Sequence, residues 1–209
     1  MVRVSEIEKL KGRVRIFFDD GSSFLLLNSM YQERPLEINQ EIDVSEFSDW
    51  ITVRQYRSAL EKAVAMLAVR ARSSIEISQK LHQIGYTQET IEMVLYKLNK
   101  EDFLNDQDFA NQWVQYRAEK KIGSRKIAQE LKIKGITGEE AEKALAFLSD
   151  DIQLENAVLL ARKVLKRLNP GEESRKKGQK IIAAIVRRGY EWDIAREACE
   201  QVLGEEDSI

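Results

Sequence analysis

One string recurs three times along this 209-residue chain. It reads Leu81-His82-Gln83-Ile84-Gly85-Tyr86-Thr87, then Leu131-Lys132-Ile133-Lys134-Gly135-Ile136-Thr137, then Ile185-Val186-Arg187-Arg188-Gly189-Tyr190-Glu191. The three glycines stand 50 and 54 residues apart, and Ile77, Ile127 or Ile181 precedes each string by four places. Ile91 and Leu95, Ala141 and Leu145, and Ala195 and Cys199 follow. A period of this length predicts a stack of similar units, each exposing much of its own surface, so neighbours are expected to share buried faces. Within each unit the two apolar residues before the glycine lie one turn apart on a helix face. The glycine ends that helix in the left-handed conformation. Thr87 and Thr137 then cap the next helix through their hydroxyls, with Glu191 as a weaker cap in the third copy. Tyr86 with Ile91, Ile136 with Ala141, and Tyr190 with Ala195 have hydrophobic-staple spacing, while Ser73 with Glu76 and Thr137 with Glu140 have capping-box spacing.

A further helix is predicted upstream of each pair, at about 52–70, 106–121 and 151–168, from apolar residues at three and four spacings. The fold expected is mainly α: three tandem three-helix repeats in an elongated array, at 51–101, 102–149 and 150–204. The competing reading is one compact helical domain with accidental self-similarity. Residues 1–50 read differently. Val14 to Phe18, the turn Asp19-Asp20-Gly21, and Ser22 to Asn28 form a hairpin signal. A weaker strand is expected around Leu36 to Ile42, giving a small β-rich extension of about three strands. Its role is open between stabilising the first repeat and adding a contact.

Composition removes several function classes. With one cysteine and one histidine, the usual His/Cys metal sites and a Cys–His nucleophile pair are excluded, as is an internal disulfide. No apolar run approaches the length of a membrane span, and the first residues lack a signal-peptide core, so a cytoplasmic protein is expected. No phosphate-binding glycine loop or nucleophile elbow is present, so neither an enzyme nor a cofactor is expected. His82 is read as a surface residue, Cys199 as a core filler, and Trp113 as core. Trp192 is read as packing, with an exposed contact as the alternative.

Net charge is only −2, but its distribution is uneven. Residues 117–134 carry Arg117, Lys120, Lys121, Arg125, Lys126, Lys132 and Lys134. Residues 162–188 carry Arg162, Lys163, Lys166, Arg167, Lys176, Lys177, Arg187 and Arg188, along with Arg175 and Lys180. Residues 33–50 and 139–155 are acidic, and the tail closes on Glu205-Glu206-Asp207. Basic zones of this density attract phosphate or an acidic protein face. The plainer reading is an ion-paired, solvated surface.

Arg70-Ala71-Arg72-Ser73-Ser74-Ile75-Glu76-Ile77, followed by Lys80-Leu81, resembles the Arg-x-Arg-Ser-x-x-Glu-Leu signature of the RecX family, regulators of the RecA recombinase. Leu104-Asn105-Asp106 with Phe109-Ala110 resembles its second signature, usually Leu-Asp-Asp-x-x-Phe-Ala. Gly123-Ser124, Ile127, Glu130-Leu131 and Lys134-Gly135-Ile136 continue the likeness over about 52–200. Ile77 and Asn105 depart from it mildly, and the third repeat is matched mainly at Gly189-Tyr190. The resemblance implies a non-enzymatic modulator, most often an inhibitor, that binds in the groove of the RecA filament on single-stranded DNA. It would restrain filament growth, ATP hydrolysis and strand exchange, and thereby the SOS response. A monomer is expected. Arg70 and Arg72 either pair with neighbouring carboxylates or reach the partner; the basic clusters of repeats two and three are the expected contact surface. The alternative is a nucleic-acid-binding module with helix-turn-helix-like repeats. Its recognition helices would present Gln88, Glu89, Glu92 and Lys97, or Glu139, Glu140, Glu142 and Lys143, and these acidic faces oppose phosphate.

Overall fold

The computed structural model describes residues 1–206, so Asp207 of the acidic tail lies outside the described residues. The chain divides into two compact units, residues 1–105 and 106–209.

The first unit opens with a four-stranded antiparallel sheet: β1 (Val2–Leu10), β2 (Arg13–Phe18), β3 (Ser23–Leu27) and β4 (Glu41–Ile42), in the order β3-β2-β1-β4. The expected hairpin is β2–β3, with Val14 opposite Leu26 and Phe17 opposite Ser23. Gly21 takes φ +83° in its turn. The Asp20 carboxylate accepts from the Ser22 hydroxyl at 2.6 Å and from its amide at 2.9 Å, which holds Asp20 below the usual carboxylate range. Val14, Ile16 and Phe18 alternate inward along β2 and meet Val4, Leu26, Phe47 and Ile51. The strand expected over 36–42 shrinks to the two residues of β4, which pair only with Val2 and Arg3 of β1. β1 itself and a short helix α1 (Asn28–Glu33) were not foreseen.

Helix α2 (Val44–Val69) begins at Asp43, whose carboxylate accepts from the amides of Ser45 and Glu46. Its buried residues are Phe47, Ile51, Gln55, Ala59 and Ala63. The first two belong to the sheet core; the last two join Ile77, Leu81, Tyr86, Ile91, Val94, Leu98 and Leu104 in the core of the first repeat. That repeat is completed by α3 (Ser74–Ile84) and α4 (Gln88–Lys100). Ser73 Oγ caps α3 by accepting from the Glu76 amide at 3.3 Å, and Thr87 Oγ1 caps α4 by accepting from the Thr90 amide at 3.3 Å. Gly85 closes α3 at φ +102° with its amide on the carbonyls of Leu81 and His82. The sheet docks on this turn. Leu25 packs against Gly85, where a Cβ would meet Leu25 Cδ2 at 3.2 Å, and Arg13 Nη1 donates to the Gln83 carbonyl at 2.7 Å.

The second unit contains α5 (Asp106–Glu119), α6 (Ser124–Ile133) and α7 (Gly138–Leu145), then α8 (Asp150–Leu165), α9 (Ser174–Arg187) and α10 (Trp192–Glu206). Phe109, Ala110, Val114, Ile127, Leu131, Ile136 and Ala144 form one core. Ala157, Ala161, Ile181, Ile185, Tyr190, Ala195, Cys199 and Val202 form another. Gly135 and Gly189 take φ +80° and +92°, in the role expected of them. One expected cap fails: Thr137 precedes α7 without a side-chain bond. Gly138, the first helical residue, sits at φ +59°, so the backbone enters the helix by a path that lacks ordinary cap geometry.

Candidate functional site

The second and third repeats meet where the N-terminus of α6 abuts the C-terminus of α9. A helix begins with amide groups that have no partner in its own ladder and ends with carbonyls in the same position. Here one set satisfies the other. Gly123 N–H donates to the Arg188 carbonyl at 3.0 Å, and Arg125 N–H donates to the Gly189 carbonyl at 3.0 Å. Between them Ser124 N–H donates to Gln153 Oε1 of α8 at 3.2 Å, while Gln153 Nε2 donates to the Leu148 carbonyl. The negative end of α9 therefore faces the positive end of α6. Contact this close requires glycine on both sides. A Cβ on Gly123 would lie 2.3 Å from the Tyr190 nitrogen and 2.4 Å from the Gly189 carbonyl, and one on Gly189 would lie 2.3 Å from Lys126 Cβ. Gly123 has an ordinary φ of −77°, so close approach rather than conformation demands glycine there.

This joint gathers part of the predicted basic surface. Arg188 Nη1 donates to the Lys120 carbonyl at 3.1 Å. Lys121 follows at φ +57°, and Arg125 and Lys126 occupy the first turn of α6. Arg125 lies 3.8 Å from Glu191, a loose exposed pair. Lys120, Arg125, Lys126, Arg187 and Arg188 are all exposed, and Lys121 is half-buried.

Other candidates are engaged elsewhere. Glu130 receives both the Arg117 guanidinium and the Trp113 indole N–H, the latter at 3.1 Å. Arg117 also lies over the Trp113 ring at 5.7 Å, and Lys134 lies 4.1 Å from that ring and 5.4 Å from that of Phe109. These groups make an internal network on the second repeat. Arg70 forms two bonds with Glu76, at 3.0 and 3.2 Å, and that hydrogen bonding raises its pKa further. Arg72 Nε donates to the Met66 carbonyl at 3.3 Å, near the end of α2. Lys132 is exposed near the far end of α6.

The 162–188 cluster is not one patch. Along α8, Lys166 stands roughly 20 Å from Gln153 at the joint, and along α9, Lys176 stands roughly 16 Å from Arg187. Arg162, Lys163, Lys166, Arg167, Lys176 and Lys177 thus occupy the end of the third repeat away from the joint. Arg162 pairs with Glu205 at 2.7 Å, Lys176 with Glu173 at 3.5 Å, and Lys180 with Glu172 at 2.6 Å. Lys177 is only 6% exposed. The exposed faces of α4 and α7 keep the acidic character read from the sequence, and Lys143 is paired with Glu139 at 2.6 Å.

Burial pushes the Tyr190 phenol up to about 12 and raises the Cys199 thiol. Among the described residues, no group of His, Cys, Asp and Glu side chains is placed to hold a metal ion, and no helix is long and apolar enough to cross a membrane. Sequence reasoning missed Gly123 as a contact residue and Gln153 as a cap. The Gly123-Ser124 pair stood in the likeness, but only the fold shows what it touches.

Family models described as the first, second and third three-helix domains of RecX match residues 59–98, 105–145 and 150–199. The regulatory protein RecX of Listeria monocytogenes is 31% identical over 98% of this chain and 76% of its own length. The chain belongs to the RecX family. A RecX from Clostridium botulinum is 24% identical, with 97% of each chain covered. A crystal structure of regulatory protein RecX superposes with a TM-score of 0.66 at 25% identity, covering 98% of this chain and 100% of the other. A second, of RecX from Lactobacillus salivarius, gives 0.68 at 26%, covering 75% of this chain and 99% of the other. The RecX signature residues Ser73, Phe109 and Ala110 are cap and core here, and Arg70 braces Glu76.

Proposed function

We propose that this RecX protein is a modulator of the RecA recombinase, acting mainly as an inhibitor. In this reading it binds as a monomer in the groove of the RecA filament on single-stranded DNA, in the cytoplasm, and restrains filament growth, ATP hydrolysis and strand exchange. The chain is not an enzyme and uses no cofactor; the hydrolysis it controls belongs to its partner. The observation that carries the reading is the joint. Its support for the reading is that the exposed cations Lys120, Arg125, Lys126 and Arg188 belong to the segments that meet there, and such a surface would attract phosphate or an acidic protein face; Lys121 and Arg187 would add to it. The exposed cations more distant from the joint, Arg162, Lys163, Lys166, Arg167 and Lys176, would form a second contact; Lys177 is buried and would take no part.

RecA's ATP hydrolysis on single-stranded DNA, with this protein titrated in at low ratio, tests the reading. Inhibition well below one molecule per RecA is expected, and charge reversal at Lys120, Lys121, Arg125 and Lys126 should weaken it several-fold. No effect at equal amounts, with filament binding checked by sedimentation, would overturn it.

A further inference from the structure

The joint carries more than charge. Two aromatic rings stand exposed beside it: Tyr116 of α5, four places before Lys120, and Trp192, the first residue of α10, four places after Arg188. They are 49% and 54% exposed. We propose that these rings are stacking platforms for the bases of single-stranded DNA, whose phosphates the neighbouring cations hold. This deepens the reading above, in which the same surface meets DNA.

The contacts link the two rings through the joint. The Lys120 ammonium lies 5.6 Å from the centre of the Tyr116 ring, and its carbonyl accepts from the Arg188 guanidinium. On the other side, Arg196 lies 5.8 Å from the Trp192 ring, and Glu191, its chain neighbour, faces Arg125 at 3.8 Å. Each ring therefore has a cation beside it; Arg196 is shared with Glu200 at 2.8 Å, so Lys120 and the exposed Arg125 and Lys126 are the groups that would meet the phosphates of stacked nucleotides. Single strands are bound in this way, by a basic track combined with exposed rings, because every base offers a π-face.

Trp113 shows what a structural ring looks like on the same helix. It is half-buried and stacked on Phe109, with cations over it and its N–H committed to Glu130. Tyr116 touches Trp113 on one side, with ring centres 6.2 Å apart, but it and Trp192 are otherwise exposed. Duplex DNA offers no unstacked base, so the arrangement selects single strands.

The test uses the full chain without any recombinase. Fluorescence anisotropy at low salt would compare oligothymidylate of about 20 nucleotides, longer than a typical single-fold site, with an abasic phosphodiester of equal length. The wild-type protein is expected to bind the thymidylate about thirtyfold more tightly, the lower end of the range for two stacked bases. Tyr116→Ala combined with Trp192→Ala should lower thymidylate binding to the abasic level and leave abasic binding unchanged, while Tyr116→Phe should keep the preference. Lys120→Glu with Lys126→Glu should weaken both probes. Equal binding of the two probes by the wild-type protein, a preference that survives loss of both rings, or no binding of either probe would overturn the proposal. Because RecA is absent, these outcomes are independent of the ATP-hydrolysis titration.

Discussion

Gly123→Ala is the sharpest perturbation of the joint. Ordinary van der Waals contact begins near 3.4 Å, yet the new Cβ would meet backbone atoms at 2.3 and 2.4 Å. Backbone on both sides cannot rotate away, so α6 and α9 must separate by about 1 Å. The amide bonds of Gly123 and Arg125, now 3.0 Å, would then exceed hydrogen-bond length, as would the 3.2 Å bond of Ser124. Three bonds at roughly 1 kcal/mol each set the loss near 3 kcal/mol. Reduced freedom of the unfolded chain returns roughly 0.5 kcal/mol. The expected cost is therefore about 2–3 kcal/mol, read as a lower denaturant midpoint at unchanged slope, or as loss of the joint alone. Hydrogen exchange separates these cases, since the amides at 123 and 125 should lose protection before those of the repeat cores. Gly204→Ala in α10 is the control: nothing lies within 4 Å of its Cβ, and it should be neutral or stabilising by roughly 0.5–1 kcal/mol. Gly123→Ala within about 0.5 kcal/mol of wild type, with both amides still protected, would refute the close-contact argument.

Two further outcomes follow from the helix caps and the buried phenol. Thr87→Ala should cost about 1 kcal/mol in a denaturant titration, because Thr87 caps α4, whereas Thr137→Ala should cost a few tenths at most; equal losses would contradict the cap assignments. Tyr190 is buried, and its hydroxyl has no hydrogen-bond partner among the described residues. Its folded-state pKa of about 12 exceeds the ordinary 10.0, so its neutral form contributes stability that is intact below pH 10 and lost as pH rises towards 12. Tyr190→Phe should therefore keep neutral-pH stability and flatten the alkaline decline between pH 10 and 12 by up to about 2–3 kcal/mol; an unaltered decline would show that the phenol does not drive it.

The residues that act locally were legible. Gly85, Gly135 and Gly189, the caps at Ser73 and Thr87, and the Tyr86–Ile91 staple all follow from spacing, because a helix end is decided within a few residues. Asp20-Gly21 marked the hairpin for the same reason. β1 was missed because its pairing register shifts between Val4 and Glu6, which interrupts the two-residue alternation a strand otherwise shows. The strand expected over 36–42 contracts to β4 because only Val2 and Arg3 of β1 lie opposite it. The six-residue α1 follows Leu27, whose side chain offers no cap to announce it. The candidate surface was legible as charge and not as geometry. Arg117, Lys134 and Arg188 look alike in sequence, yet two serve a tryptophan network and the third reaches across the joint. Which cation meets which neighbour depends on contacts more than ten residues apart.

Helix α2 imposes a constraint of phase. Its buried residues recur at every fourth position, from Phe47 through Ile51, Gln55 and Ala59 to Ala63. Four residues overshoot one turn by about 40°, so the stripe winds around the axis, and Phe47 points about 160° away from Ala63. The sheet core, on Phe47 and Ile51, and the repeat core, on Ala59 and Ala63, are therefore held on faces of one rod that lie about 120° apart on average. Gln55 stands midway and accepts the Thr87 amide at 2.8 Å. Inserting or deleting a single residue between Ile51 and Ala59 would turn one face by about 100° relative to the other. No side-chain repacking restores both, so the length of this segment is fixed as strictly as the identity of any residue in it.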